Sequence, residues 1–207
     1  MFSFLQQRQL NKAFQAIQQG DLDRVAKFLK QTEVDTLNQP IFNHQTACEV
    51  AIYAQQDKSL NLLLSAGADP NGTSQEGIPL LFLTLSMEKS LSLMSELLKA
   101  GAWVNQPHPI HQEPVLISCI KQCSSEHRML HINRLQQYGA SLDVKDEDGR
   151  SAFDYALVTQ DRSLLSFLIQ SGVEPPTEWP TDLPEDLQTY LKRCVDDLRI
   201  RKMFLGK

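Results

Sequence analysis

The chain has 207 residues, 42% of them apolar, and a formal net charge of −5. An acidic balance without a basic patch argues against nucleic acid and anionic membrane as partners. The longest apolar run is far shorter than a bilayer span, and four scattered cysteines read as buried thiols rather than a disulfide framework, which favours a reducing compartment.

From the N-terminus, Met1–Arg8 lacks the basic start and long apolar stretch of a secretory signal. The expected location is therefore the cytoplasm. Residues 3–17 are expected to form a first helix, with Phe4, Leu5, Leu10, Phe14 and Ile17 available to pack. A turn at Gly20 follows, and then a second helix with Val25, Phe28 and Leu29 on one face. Thr46 stands where its hydroxyl can cap the next helix. The apolar run Leu60-Asn61-Leu62-Leu63-Leu64 then ends at Ala66-Gly67-Ala68-Asp69-Pro70-Asn71. That ending returns as Ala100-Gly101-Ala102-Trp103-Val104-Asn105 and as Tyr138-Gly139-Ala140-Ser141-Leu142-Asp143, then degenerates to Ser171-Gly172-Val173-Glu174.

The glycines at 67, 101, 139 and 172 are 34, 38 and 33 residues apart. A period near 33 indicates stacked two-helix units. A glycine just past an apolar run is the expected helix stop, because it enters the left-handed region without a Cβ clash. The Asn or Asp four residues later is expected to bond nearby backbone. The matching helix starts are His44-Gln45-Thr46-Ala47-Cys48-Glu49, Gly77-Ile78-Pro79-Leu80-Leu81 and Asp148-Gly149-Arg150-Ser151-Ala152-Phe153-Asp154. Pro79 and Pro114 stand where a missing N–H is harmless. Pro175–Pro180 breaks the pattern. A final amphipathic helix, expected over residues 182–202, carries Leu187, Tyr190, Leu191, Cys194, Val195 and Leu198 at helical spacing and covers the last unit.

These endings and starts resemble the ankyrin repeat, whose signature is Gly-x-Thr-Pro-Leu-His-x-Ala. The resemblance covers residues 10–175. The family's His becomes Glu49, Leu81 and Asp154, so the array is divergent. It implies an all-α solenoid in a single domain: an N-terminal cap and partial repeat (1–38), repeats at 39–71, 72–105, 106–143 and 144–175, and a C-terminal capping region (176–207). The 38-residue spacing places about five extra residues near Lys121–Arg128, as a longer turn or a longer helix.

The resemblance also implies a non-catalytic protein-binding module. Ankyrin partners lie along hairpin tips and inner helices, which here are Asn43, His44, Tyr53, Gln75, Glu76, Trp103, His108, His111, Lys145, Asp146 and Tyr155. For Tyr53 and Tyr155, packing between repeats is an equal alternative. Trp103 falls where the family's turn usually has Asp, and either anchors a partner or folds back on its own array. The partner is expected to be another protein. No cofactor, nucleic acid, membrane or small-molecule substrate is expected.

Catalysis has little support. The chain lacks a phosphate loop, a Gly-x-Ser-x-Gly elbow and a His-Glu-x-x-His pair. Asp146-Glu147-Asp148 falls on a hairpin tip, where solvent is expected to leave its carboxylates untuned. Cys119, Cys123, His127 and His131 recur every four residues, a spacing too extended on one helix for a single ion; across a helix–turn–helix they could converge, and two thiolates with two imidazoles suit tetrahedral zinc. The spacing is looser than zinc sites usually show, and they are expected to hold no zinc.

Two other resemblances bear on function. Leu183-Pro184-Glu185-Asp186-Leu187-Gln188-Thr189-Tyr190-Leu191 resembles the last segment of a SOCS box, which implies a ubiquitin-ligase substrate adaptor. That family's upstream Leu-x-x-x-Cys segment has no counterpart. The Gln-rich, uneven repeats are similar to the small arrays that intracellular bacteria secrete into host cells as effectors mimicking host ankyrin proteins.

Overall fold

A computed structural model describes residues 4–40, 44–176, 179–180 and 183–205; within these, the side chains of residues 4–7 (Phe4 and Leu5 included), Ser125 and Leu205 are not described. Asn43, Asp182 and part of the proline-rich break lie outside the described residues. The described chain is all-α, with twelve helices and no strand. No helix among the described residues is long and apolar enough to cross a membrane.

Ten of the helices form five consecutive pairs. They are α1 (Phe4–Gln19) with α2 (Leu22–Leu29), α4 (Ala47–Tyr53) with α5 (Asp57–Ser65), and α6 (Leu80–Leu85) with α7 (Ser90–Lys99). The last two are α8 (Val115–Gln122) with α9 (Ser125–Gln137), and α10 (Ala152–Val158) with α11 (Arg162–Gln170). The first helices pack in a row, α1 on α4, α6, α8 and α10. The second helices form a parallel row from α2 through α5 and α7 to α9. Helices α9 and α11 pack less closely than the other neighbours in this row, and Arg128 of α9 pairs with Asp161 at the start of α11 (2.8 Å). The remaining two are the short α3 (Val34–Leu37) and the long α12 (Glu185–Leu205), which packs on α11.

The helix ends follow from the sequence. Thr46 and Ser151 accept the backbone N–H of Glu49 and Asp154, and Ser151 with Asp154 completes a capping box. Each cap satisfies a donor that a helix start leaves unpaired. At the other end, Gly101 has φ +93, and no atom lies within 4 Å of where a Cβ would be. Backbone conformation alone therefore calls for glycine there. Ala102 N–H then reaches back to Leu97 O at 3.0 Å, closing a Schellman turn. The same bond recurs as Ala68 to Leu63, Ala140 to Leu135 and Val173 to Leu168.

Fully buried Ile52, Leu60, Leu63, Leu93, Leu97, Ile117, Ile132, Leu135, Leu164 and Leu168 form one continuous core along the stack. Leu187 and Leu191 of α12 close its far end. Burial of such side chains contributes about 1.5–3 kcal/mol each, and every pair depends on its neighbours to supply it.

One detail differs from the sequence-based expectation, and one choice it left open is decided. Asn38, Asn71 and Asn105 bond the next turn along rather than their own. Asn38 Oδ1 accepts the N–H of Asp69 (2.8 Å), Asn71 Oδ1 that of Trp103 (2.8 Å), and Asn105 Oδ1 that of Ser141 (2.9 Å). Asn105 Nδ2 also donates to Gly139 O at 2.8 Å. The side chains thus form a ladder between successive turns. The extra residues of the fourth unit mostly lengthen α9, which has 13 residues against 9, 10 and 9 in α5, α7 and α11. The turn before it shortens to Cys123 and Ser124.

Candidate interaction surface

The loops that lead into α6 and α10 are hairpins. Thr73 bridges Pro79, and Lys145 bridges Ser151, each in antiparallel sense. In the first, Ser74 Oγ accepts the N–H groups of Glu76 and Ile78. Gln75 N–H donates to Glu49 Oε1 at 3.1 Å, which ties the hairpin to α4. Gln75 and Glu76 themselves are exposed, as is His44, which sits at φ +68. Tyr53 closes α4 with 43% of its surface exposed. Partial burial first, then the carboxylates of Glu49 and Glu76, raise its hydroxyl above the usual tyrosine range.

Trp103 is 62% exposed. Its backbone is nonetheless fixed, because its N–H is the one that Asn71 accepts. The loop that follows, residues 106–113, closes on itself through His108 N–H to Glu113 O and Gln112 N–H to His108 O, both 2.8 Å. His111 and Ile110 point outward. His108 does not, and the expectation that it contacts a partner is corrected here: only 9% of it is exposed. Its ring stands edge-on to Phe82 and stacks on His111, with centroids 5.2 and 5.0 Å apart. Its Nδ1 faces the N–H groups of Ile110 and His111 at 3.3 and 3.4 Å. Burial, then the neighbouring His111, lowers its pKa, with Glu113 opposing. His108 is the interior hub of the loop.

Asp146 departs from expectation in the same way. Its side chain is buried, and its Oδ1 accepts the N–H groups of Arg150 (2.9 Å) and Asp148 (3.1 Å). Its Oδ2 accepts the hydroxyl of Tyr155 at 2.6 Å and lies 3.6 Å from Lys121 Nζ. Burial pushes its pKa up, but these donors and the Lys121 ammonium together hold it below the usual carboxylate range. Lys121 also pairs with Glu113 and sits 5.0 Å from the Tyr155 ring centroid. Tyr155 is therefore a packing residue between the fourth and fifth units, whereas Lys145 remains exposed.

The Cys/His series of α8 and α9 is occupied by internal contacts. His131 is bonded at both ring nitrogens, to Ser90 Oγ (2.8 Å) and His127 O (2.9 Å), and His127 meets Ser124 Oγ at 3.1 Å. Among the described residues, no group of three or more His, Cys, Asp or Glu side chains could hold a metal ion. Leu183, just before α12, and Leu187 and Leu191 on it are buried, so the leucines of the SOCS-like segment face the array.

The exposed side chains left by this accounting are His44, Tyr53, Gln75, Glu76, Trp103, His111 and Lys145. Sequence reasoning missed the Asn ladder and the Glu113–Lys121–Asp146–Tyr155 network. The recurrence of Asn at 38, 71 and 105, 33 and 34 residues apart, was the signal for the ladder. The network joins residues as far as 42 positions apart, which no local pattern exposes. No protein-family model matches the chain, and no curated protein matches it significantly.

Proposed function

We propose that this chain is an ankyrin-type array that binds another protein without catalysing a reaction, through hairpin tips and the exposed ends of its first helices. The two-row stack, the period near 33 and the repeated glycine turns support the ankyrin reading. The observation that carries the binding reading is Trp103, a large ring left 62% exposed on a backbone pinned by Asn71. Exposing an indole to water has no benefit for folding, while a rigid aromatic on a fixed loop is the usual form of an interface hot spot. Tyr53 and His111 supply further exposed rings. All four cysteines are free, which supports a reducing compartment.

The test is affinity capture from source cells with wild-type, Trp103→Ala and Val158→Ala proteins, followed by titration of the purified partner. Val158 is also exposed, on the last residue of α10. Trp103→Ala is expected to weaken binding by about 2 kcal/mol and leave the melting temperature unchanged, with Val158→Ala close to wild type. A Trp103→Ala protein that melts early but binds normally overturns this face.

A further inference from the structure

We propose that Cys123 and Cys119 are a peroxide-sensitive dithiol, in which a hydroperoxide oxidises Cys123 and Cys119 then closes a disulfide. The two Sγ atoms lie 3.6 Å apart. Cys119 belongs to the last turn of α8, and Cys123 is the residue at which the chain leaves the helix, with ψ 139. Cys123 N–H still donates to Cys119 O at 3.0 Å, so the pair keeps helical i, i+4 spacing. That spacing sets the Cα atoms about 6 Å apart, within disulfide reach. Because Cys123 stands at the helix end, closing the sulfurs does not require distorting a helix interior.

The two thiols differ in access. Cys119 is fully buried, whereas Cys123 is 8% exposed and lines an open cleft between the α6–α7 turn, at Met87 and Glu88, and the start of α9, at Ser124 and His127. A small peroxide can enter such a cleft. Electrostatics separates them further. Arg128 sits beside the pair, with Nη2 donating to Cys123 O at 3.3 Å, Nη1 pairing with Asp161 at 2.8 Å, and a buried Nε that lacks a hydrogen-bond partner. The Cys119 thiol donates to Cys123, and that bond together with the guanidinium charge draws Cys123 below the usual thiol range. Cys119 is pushed far up by the same bond and by burial. Cys123, reachable from the cleft and more readily ionised than its partner, is thus the attacking sulfur and Cys119 the resolving thiol. Cys48 has neither property, since burial and then Asp69 push it up to about 12.

The chemistry balances. The Cys123 thiolate attacks the peroxide, the O–O bond breaks, and the sulfur becomes a sulfenic acid as an alkoxide or hydroxide leaves and takes up a proton. The Cys119 sulfur then attacks that sulfur, its S–H proton leaves with the hydroxyl as water, and the S–S bond forms. Two thiols lose two electrons in total, and the peroxide gains them.

Lys121 falls between the two cysteines, so trypsin leaves them on separate peptides that only a disulfide can join. Native protein is treated with hydrogen peroxide, alkylated, digested and analysed by mass spectrometry. The expected result is a linked Cys119–Cys123 peptide pair that separates on reduction with dithiothreitol. In Cys119→Ser, Cys123 is expected to accumulate as a sulfenic acid that dimedone traps. Arg128→Gln, checked by melting temperature, is expected to slow the linkage about tenfold. The proposal is overturned if both cysteines stay alkylated while Cys194 oxidises, or if Cys123 proceeds to sulfinic acid without the link.

Discussion

Replacing Asn105 with Ala tests how successive units are held in register. The substitution removes two hydrogen bonds, from Ser141 N–H to Oδ1 (2.9 Å) and from Nδ2 to Gly139 O (2.8 Å). A net bond contributes about 0.5–1.5 kcal/mol. Asn105 is exposed, so water re-satisfies part of what is lost, and the expected cost is about 1–2 kcal/mol. Asn71→Ala removes only the bond to Trp103 N–H and should cost about half as much. Asn105→Asp keeps the acceptor and loses the donor, so it should fall between wild type and Asn105→Ala. Urea unfolding followed by circular dichroism resolves these differences. With a slope near 2–3 kcal/mol per molar, Asn105→Ala should lower the midpoint by about half a molar. If Asn105→Ala lies within about 0.3 kcal/mol of wild type, the ladder does not hold the turns together. If Asn105→Asp is as damaging as Asn105→Ala, the Ser141 bond is not the one that matters.

Gln160 sits at φ +52 in the turn between α10 and α11, where Gly20 stands between α1 and α2 at φ +69. Gln160→Gly should therefore stabilise the protein by about 0.5 kcal/mol, the strain relieved less the added freedom of the unfolded chain; a lower melting temperature would refute this. Gly101→Ala should cost about 1 kcal/mol from φ alone, since its Cβ would meet open space; a loss above about 3 kcal/mol would point to a steric clash instead. Asp146→Asn should destabilise at neutral pH. The folded pKa of Asp146 is depressed, so its contribution is present above the unfolded value near 4 and is lost as pH falls through the folded pKa. Urea midpoints of wild type and Asp146→Asn should accordingly differ at pH 7 and converge in acid. A constant difference down to pH 2 would show that the effect is packing rather than charge.

The helix boundaries were the most legible part of the sequence, because they are set locally. The glycine stops, the Thr46 and Ser151 caps and the start of the last helix each follow from a few adjacent residues. What escaped depends on partners a repeat or more away. Asn71 resembles an ordinary turn residue until the Trp103 N–H is seen opposite it. Asp146 reads as a solvated tip residue until Lys121 and Tyr155 close over it. His108 looked exposed for the same reason, since Phe82 covers it from the preceding unit. The surface was therefore legible where a side chain has no distant partner, as at Trp103, and illegible where it has one. In the fourth unit, the spacing revealed that residues were added but not whether a turn or a helix received them.

The looser packing between α9 and α11 gives the molecule a seam. A linear stack opens where adjacent layers share the least contact. Here the second row packs more loosely, and two ion pairs reinforce the apolar contacts that cross the junction: Arg128 with Asp161 at 2.8 Å, and Lys121 with Asp146 at 3.6 Å. Residues 144–205 should behave as a separate cooperative block. Their amide hydrogens should exchange through a sub-global opening that is cheaper than full unfolding, while those of α4–α7 wait for the whole molecule.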